Sequence, residues 1–304
     1  MRGIQAHDAL IAASGITTVF DALRVGTDEN ATLTSGDMAE MADAIDRAVA
    51  EGRVRADHYI HLRCEVSASD VVEGFCKIET NPRLKLVSLM DHAPGQRQFA
   101  DLDAYRIYYQ GKLGLSDIEF AAFSARRLVE SAKFAPQSRL AIAERCRVRG
   151  IAVASHDDAT SAHVDEAIAL GTSVAEFPTT VAAARASREA GLHVLMGAPN
   201  IVRGGSHSGN VSAIELLRLG VLDVLSSDYV PFSMLQAVFH LADQGAADLP
   251  DAIRLVSQNP AEAVGLTDRG AIAEGLRADL VRVRATPGEP PVVRSVWREG
   301  HRVA

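Results

Sequence analysis

The sequence predicts an α/β fold: a (β/α)8-type TIM-like barrel that lacks its first strand, followed by a small C-terminal β segment. Three observations lead there. Short β-branched runs alternate with amphipathic helical stretches, as in chains of βα units that build a parallel sheet. Seven such strands can be counted, one fewer than a closed barrel needs. From about Gly265 the alternation stops and the pattern becomes strand and turn.

The elements follow in order. Ala6 to Ser14 reads as a helix and Ile16 to Ala22 as the first strand. Asp37 to Gly52 is a helix with Met38, Met41, Ile45 and Val49 on one face. His58 to Val66 and Leu84 to Met90 are the second and third strands. Ile118 to Lys133 and Gln137 to Arg149 read as two helices, separated by residues 134–136. Ile151 to Ser155, Ser173 to Phe177, His193 to Met196 and Val221 to Ser226 complete the seven, with helices between them. Ala278 to Val283 and Pro291 to Trp297 read as strands of the tail, with a proline- and glycine-rich turn at 287–291.

The sequence therefore divides into a barrel domain, 1–264, and a tail, 265–304, a remnant of a small β-sandwich. A tail of about 40 residues is too short to bury its own core and must pack on the rest. A barrel without its first strand leaves two unpaired edges, which predicts association into a homo-oligomer. An open doubly wound sheet is the alternative, since it tolerates seven strands.

Hydrophobic residues make up 47% and charged residues 23%, which excludes a mainly disordered chain. No apolar run reaches the roughly 20 residues of a membrane span. A net charge of −8 excludes nonspecific binding to nucleic acid, whose phosphates would repel it. Cys64, Cys76 and Cys146 have no metal or disulfide spacing, and the first residues lack a signal-peptide layout. A cytoplasmic protein is expected.

Active sites of parallel α/β folds lie at the C-terminal ends of the strands. The second strand ends at Glu65. The third runs into Asp91 and His92, the fourth into His156-Asp157-Asp158, the fifth into Glu176, and the seventh into Asp228. Five of seven strands ending in such groups point to a divalent metal site, where oxygen ligands favour Mn²⁺ or Mg²⁺ and imidazole favours Zn²⁺ and its neighbours. One or two ions fit this pattern. Asp228 has a second role open to it, accepting the proton of an attacking water, with a helix N-cap as the plainer reading. Asp91 and His92 are expected at the substrate.

The segment Arg203-Gly204-Gly205-Ser206-His207-Ser208-Gly209-Asn210 follows the sixth strand and precedes a helix predicted over Val211 to Leu219. Its glycines permit close backbone approach. Arg203, Ser206, His207, Ser208 and Asn210 add charge or donors, so it is expected to cradle phosphate. It is not a P-loop, because no Lys-Ser or Lys-Thr follows the glycines. His7, His163, His240 and His301 read as packing or surface residues, and no Gly-x-Ser-x-Gly elbow exists.

The closing segment Asn259-Pro260-Ala261, Gly265-Leu266-Thr267-Asp268-Arg269-Gly270 and Ala278-Asp279-Leu280 resembles the C-terminus of the amidohydrolase superfamily. The internal motifs His61-Leu62-Arg63-Cys64-Glu65, Met90-Asp91-His92-Ala93-Pro94-Gly95-Gln96, Ser155-His156-Asp157-Asp158, Ala175-Glu176-Phe177-Pro178 and Met196-Gly197-Ala198-Pro199-Asn200 are similar to the M-component family of phosphonate degradation. The resemblance implies a metal-dependent diphosphatase that converts a ribose 1-methylphosphonate 5-triphosphate to the 5-phosphate and pyrophosphate. It implies Glu65, His156 and Asp228 as metal ligands, with Glu176 where many relatives carry a histidine. It also implies a first strand with a His-x-Asp ligand pair that this sequence does not contain, so an N-terminally truncated member is expected. Hydrolysis of a C–N bond, or ligand binding without catalysis, are the competing readings.

Overall fold

A computed structural model describes residues 2–27, 33–94, 97, 106, 109–111, 113–206 and 209–304. The helices are α1 (Arg2–Ala13), α2 (Ser35–Ala50), α3 (Val71–Ile78), α4 (Asp117–Arg149), α5 (Ser161–Ala169), α6 (Val181–Glu189), α7 (Ala198–Arg203), α8 (Ala213–Arg218), α9 (Ser233–Asp243), α10 (Leu249–Arg254) and α11 (Gln258–Ala263). The strands are β1 (Thr18–Val25), β2 (Asp57–Glu65), β3 (Leu84–Met90), β4 (Ala152–His156), β5 (Val174–Glu176), β6 (His193–Gly197), β7 (Val224–Ser226), β8 (Leu280–Arg284), β9 (Val292–Arg298) and β10 (His301–Arg302). The first seven follow chain order in one sheet and the last three form a second. The seven strands expected from the alternation are all present, each within a few residues of its predicted bounds. The chain packs as two compact units, one of Met1–Asp21, Met41–Ile60 and His193–Ala304, the other of Ala22–Glu40 and His61–Leu192.

In the unit built on His61–Leu192, β3 pairs in parallel with β4, and β4 with β5. Leu62 and Cys64 of β2, Val87 and Leu89 of β3, and Val153 and Ala154 of β4 are buried, as expected of parallel strands covered on both faces. Phe75 and Ile78 of α3 and Ile142 and Cys146 of α4 close over them. Gly26 sits where the backbone leaves β1 with φ +94, and a Cβ there would meet the Glu65 carbonyl oxygen at 2.8 Å. Only glycine fits both the conformation and the space.

Pro136 does not divide α4, contrary to the sequence expectation of two helices. One helix of 33 residues runs from the Ser116 capping box to Gly150, whose φ of 65 ends it. The reason lies in its buried stripe. Arg127, Ser131, Ala135, Ser138, Ile142 and Cys146 are spaced by three or four residues with no phase jump at the proline. Burial of that stripe outweighs the roughly 3 kcal/mol a mid-helix proline costs.

In the other unit β6 and β7 pair in parallel, Gly197 opposite Ser226. The tail forms the antiparallel sheet β10-β9-β8, with a bulge between Arg282 and Val283. It packs within this unit: a Cβ on Gly15 would meet Val281 at 3.1 Å and Val293 at 3.4 Å. The motif residues of the tail have structural duties. Asn259 donates its amide to the Asp223 carbonyl ahead of β7, at 2.8 Å. Arg269 reaches Thr18 at 2.9 Å and Asp57 at 2.8 Å. Arg277 and Arg298 also pair with Asp57, which stands at the start of β2. Burial alone would raise the Asp57 carboxyl; Arg277 and Arg269 outweigh it and hold the group below the usual carboxylate range.

A second ionic cluster lies in the same unit. His58 is wholly buried, with Nδ1 2.8 Å from Asp21 and Nε2 3.3 Å from Asp8. Asp8 also accepts from the Arg55 and Ala56 amides at 2.7 and 3.0 Å. Burial works against the charged imidazole, but Asp21 and Asp8 prevail and raise its pKa.

Two predictions follow from these clusters. Asp57→Ala removes the carboxylate that three guanidiniums share, leaving Arg269 with Asp268 and Arg277 with Asp279, and should lower unfolding stability by about 2 kcal/mol in urea titrations. The His58 contribution is present below the ordinary histidine pKa and is lost as pH rises through the raised folded value. Stability should therefore fall by up to about 1.4 kcal/mol per pH unit across that window. His58→Gln should flatten that part of the profile.

Candidate functional site

The register of the sheet sets the level of the chemistry. His156 stands opposite Glu176, and Leu89 opposite Ser155. The Val66 amide bonds to the Met90 carbonyl at 2.8 Å, and the Asp157 amide to the Glu176 carbonyl at 2.9 Å. Glu65, Asp91, His156 and Glu176 thus leave their strands at corresponding ends. Just past the ends of β4, β5 and β7, Asp157, Phe177 and Asp228 adopt φ of 57, 56 and 50. Each such non-glycine conformation costs on the order of 1 to 3 kcal/mol and is held by its surroundings.

Glu65 is fully buried and saturated with donors. His92 gives it both its Nδ1, at 2.6 Å, and its backbone amide, at 3.1 Å. Ser67 donates at 2.8 Å, and Arg24 and Arg127 lie at 3.3 and 3.5 Å. Burial alone would raise this carboxyl; the His92 imidazole, then Arg24 and Arg127, reverse that and hold it well below the usual range. Since Glu65 takes the Nδ1 proton of His92, the Nε2 lone pair of His92 is left for another partner.

Glu176 treats His156 in the same way. It accepts from His156 Nδ1 at 2.7 Å and from the Ser88 hydroxyl at 2.6 Å. Ser88 also contacts His61 Nε2, and burial pulls the His61 pKa down to about 4, so that ring is a neutral donor. Burial opposes ionisation of Glu176, but His156, His61 and Arg63 hold it well below the carboxylate range. His156 Nε2 lies 3.3 Å from Arg63 Nη2 and 3.3 Å from Asp157 Oδ2. Burial disfavours a charged His156, while Asp157 and Glu176 raise its pKa. Asp157 is pushed the other way from Glu65: burial raises its carboxyl, and His156 and His92 only moderate this.

His92, His156 and Asp157 form a group able to hold a metal ion, each offering one ligand atom within 4.8 Å of the others. The donor set fits such an ion. Each imidazole gives its Nδ1 hydrogen to a buried glutamate, the arrangement that fixes metal-ligating histidines. Asp157 Oδ2 is buried without a hydrogen-bond partner, a vacancy that a cation would fill. Phe177 packs edge-on against His156, with ring centroids 5.6 Å apart.

Asp91 and Asp158, the other buried carboxylates just past these strand ends, are engaged with arginines. Asp91 accepts from Ser131 at 2.8 Å and Arg139 at 3.0 Å, which fastens α4 to the end of β3. Asp158 pairs with Arg97, which also reaches Glu166. Sequence reasoning did not single out Arg63, Arg97, Arg127, Arg139, Ser88 or Asp157 as site residues. A usable signal for Arg63 is the alternation of β2, which puts it on one face with Glu65. The α4 stripe is a second usable signal, because its polar members Arg127, Ser131 and Arg139 share a face with Ile142 and Cys146.

The other unit holds the rest of the expected residues. Asp228 follows β7, and its Oδ2 would lie 3.6 Å from a Cβ on Gly197, an ordinary van der Waals contact. Arg203 ends α7 and turns onto its own loop, with Nε 3.3 Å from the Gly205 carbonyl and Nη1 3.3 Å from the Tyr229 hydroxyl. Gly204, at φ 83, caps α7. Ser206 and Asn210 are half-buried; His207 and Ser208 lie outside the described residues. The helix after this loop is shorter than the expected Val211 to Leu219. It covers Ala213–Arg218, and its N-terminus is capped by the Ser212 hydroxyl. Cys64 and Cys146 are buried thiols whose pKa burial raises, that of Cys146 to about 12.

Residues 3–304 match the amidohydrolase family. The chain belongs to that family. It is 50% identical over 302 residues to the α-D-ribose 1-methylphosphonate 5-triphosphate diphosphatase of Escherichia coli (strain K12), covering 99% of this chain and 80% of that protein. Among solved structures, N-acetylglucosamine-6-phosphate deacetylase from Pasteurella multocida superposes with a TM-score of 0.60 at 13% identity, over 95% of this chain and 76% of that one. A Xaa-Pro dipeptidase with bound methionine superposes with a TM-score of 0.59 at 14% identity, over 98% and 77%. These two share the fold with the family member described here. The fold agrees with the α/β barrel-type architecture expected from the sequence, with its seven parallel strands and small C-terminal sheet. No helix among the described residues is long and apolar enough to cross a membrane.

The donor count at Glu65 makes a prediction. Glu65→Gln removes the charge that His92, Arg24 and Arg127 share, and should cost about 3 kcal/mol of unfolding stability. Ser67→Ala removes one neutral donor to the same carboxylate and should cost about 1 kcal/mol. Chemical denaturation of the two variants side by side checks the ratio.

Proposed function

We propose that this chain is a divalent-metal-dependent diphosphatase that hydrolyses α-D-ribose 1-methylphosphonate 5-triphosphate to the 5-phosphate and pyrophosphate. The observation that carries the reading is 50% identity over 302 residues to the Escherichia coli enzyme of that name. The site supports it chemically. His92, His156 and Asp157 would hold the ion, with zinc or manganese suited to their mixed nitrogen and oxygen donors. A divalent ion bound there supplies charge neutralisation at a phosphoryl oxygen and makes water more acidic.

The protein's own groups do the rest. Glu65 and Glu176, expected from the sequence as ligands, act in this reading as the residues that orient His92 and His156 through Nδ1. Asp228 accepts the proton of the attacking water at its carboxylate, as general base. Phe177 excludes water from one side of His156. The 203–210 loop holds the leaving pyrophosphate through Arg203, the glycine backbone and Ser206. We further propose a cytoplasmic location and a homo-oligomer.

The test is release of pyrophosphate from the ribose triphosphate by the purified chain. Chelation should abolish it, and added Zn²⁺ or Mn²⁺ should restore it. Hydrolysis of amides with no pyrophosphate release would overturn the reading. Glu176→Gln replaces the charged acceptor of His156 Nδ1 with a neutral amide oxygen. It should weaken Zn²⁺ binding about 10- to 100-fold by calorimetry, and Asp157→Asn should weaken it at least as much.

A further inference from the structure

Among the arginines around these strand ends, Arg63 differs in its partners. Arg24 lies 3.3 Å from Glu65 and Arg127 lies 3.5 Å from it; Arg139 is 3.0 Å from Asp91, and Arg97 is paired with Asp158 and Glu166. Arg63 has no carboxylate within ion-pair distance among the described residues. Its Nε donates to the Met90 sulfur at 3.2 Å, a weak acceptor, and its Nη2 to His156 Nε2 at 3.3 Å. A guanidinium carries five N–H donors in a planar fork, so most of its capacity is uncommitted. The side chain is half-buried, on the strand that ends at Glu65 and beside the group of His92, His156 and Asp157.

Placement and poor pairing together have a consequence. The one nitrogen acceptor Arg63 uses, His156 Nε2, is the lone pair that the Glu176 bond to Nδ1 leaves for a cation. A metal ion at that nitrogen removes the acceptor and leaves Arg63 with a thioether. Its fork then matches a phosphoryl group, which accepts two parallel charge-assisted hydrogen bonds. We propose that Arg63 is the phosphoryl-binding arginine of this site: it rests against His156 when no metal is there and turns to an oxygen of the substrate's triphosphate when one is. This rests on the diphosphatase reading and names a residue that binds the substrate's anionic chain. Arg63 and the metal compete for one nitrogen, whereas Arg63 and the anion attract.

The experiment uses the full chain with inorganic tripolyphosphate as the anion probe and Zn²⁺ as the metal probe, each titrated by calorimetry into chelator-treated protein, and tripolyphosphate again into the Zn²⁺-bound protein. Arg63→Gln should bind tripolyphosphate at least about 10-fold more weakly, the loss expected for a charge-assisted pair. It should bind Zn²⁺ as tightly as the wild type or more tightly. Arg63→Lys, which keeps the charge but not the fork, should recover part of the anion affinity and guards against a folding failure in the first variant. In the wild type, Zn²⁺ should strengthen tripolyphosphate binding, and Arg63→Gln should reduce that gain. Unchanged tripolyphosphate affinity in Arg63→Gln overturns the proposal, as does a parallel fall in both affinities, which is what a packing role would give. Turnover separates this from the parent reading. If the wild type releases pyrophosphate while Arg63→Gln keeps its anion affinity and KM, only the Arg63 assignment fails. If tripolyphosphate binding depends on Arg63 but the ribose triphosphate is not hydrolysed, only the diphosphatase assignment fails.

Discussion

Buried carboxylates at strand ends need positive charge or strong donors, and much of the unit built on His61–Leu192 is arranged to supply them. Glu65 and Glu176 lie where burial alone would neutralise them. They remain ionised because an imidazole meets each at hydrogen-bond distance and guanidiniums stand nearby. An unpaired buried carboxylate would protonate or cost several kcal/mol. The same requirement explains the long helix α4. Its Arg127 and Arg139 cross to Glu65 and Asp91, so the helix must keep one face on the sheet for its whole length. That demand is strong enough to carry it through Pro136.

The two glutamates then serve a purpose beyond their own neutralisation. By taking the Nδ1 hydrogens of His92 and His156, they fix which nitrogen of each ring is free. An imidazole without such a partner exchanges tautomers and rotates, and a site built from two of them would be poorly defined. Ser88 adds a second donor to Glu176 and is itself contacted by neutral His61, so the carboxylate is oriented from two sides. A hydrogen-bond chain from β2 through β3 to β5 therefore sets the orientation of a residue on β4. The precision comes from strands, which hold their register, and not from loops.

The sequence was informative where chemistry follows local pattern. Leu84–Met90 is apolar at five of its seven positions, and a buried parallel strand reads that way. The strand-end acids and histidines stood out because the ends of parallel strands are where function sits. Less could be read where the answer depends on which partner a side chain meets. A sequence cannot count how many donors already surround Glu65 and Glu176, and so it does not show the hydrogen bonds each makes to an imidazole. The roles of Arg127 and Arg139 were not visible, since their partners lie 62 and 48 positions away in the chain. The break expected at residues 134–136 failed for the same reason: propensity is local, and the face that overrides it is not. In the tail, by contrast, the Asn-Pro-Ala and Asp-Arg-Gly motifs were visible as family marks. What they do, tethering the Asp223 carbonyl and Asp57, needed three dimensions.

Asp157 shows how these constraints meet at one residue. Its backbone sits at φ 57, a conformation an aspartate adopts at a cost, fixed by the amide bond to the Glu176 carbonyl. Its carboxyl is pushed upward by burial, opposite to Glu65 and Glu176, and its Oδ2 has no hydrogen-bond partner. Arginines meet Asp91 and Asp158, and imidazole Nδ1 groups meet Glu65 and Glu176, in hydrogen bonds, whereas this oxygen has His156 Nε2 at 3.3 Å without a hydrogen bond. Strain and an unmet acceptor in one residue, facing two imidazoles with fixed tautomers, are destabilising in the protein alone. A cation in the group would relieve both. Asp157 thus combines a left-handed backbone, a carboxyl pushed up by burial and two facing imidazoles, and that combination is the physical ground for reading it as a ligand.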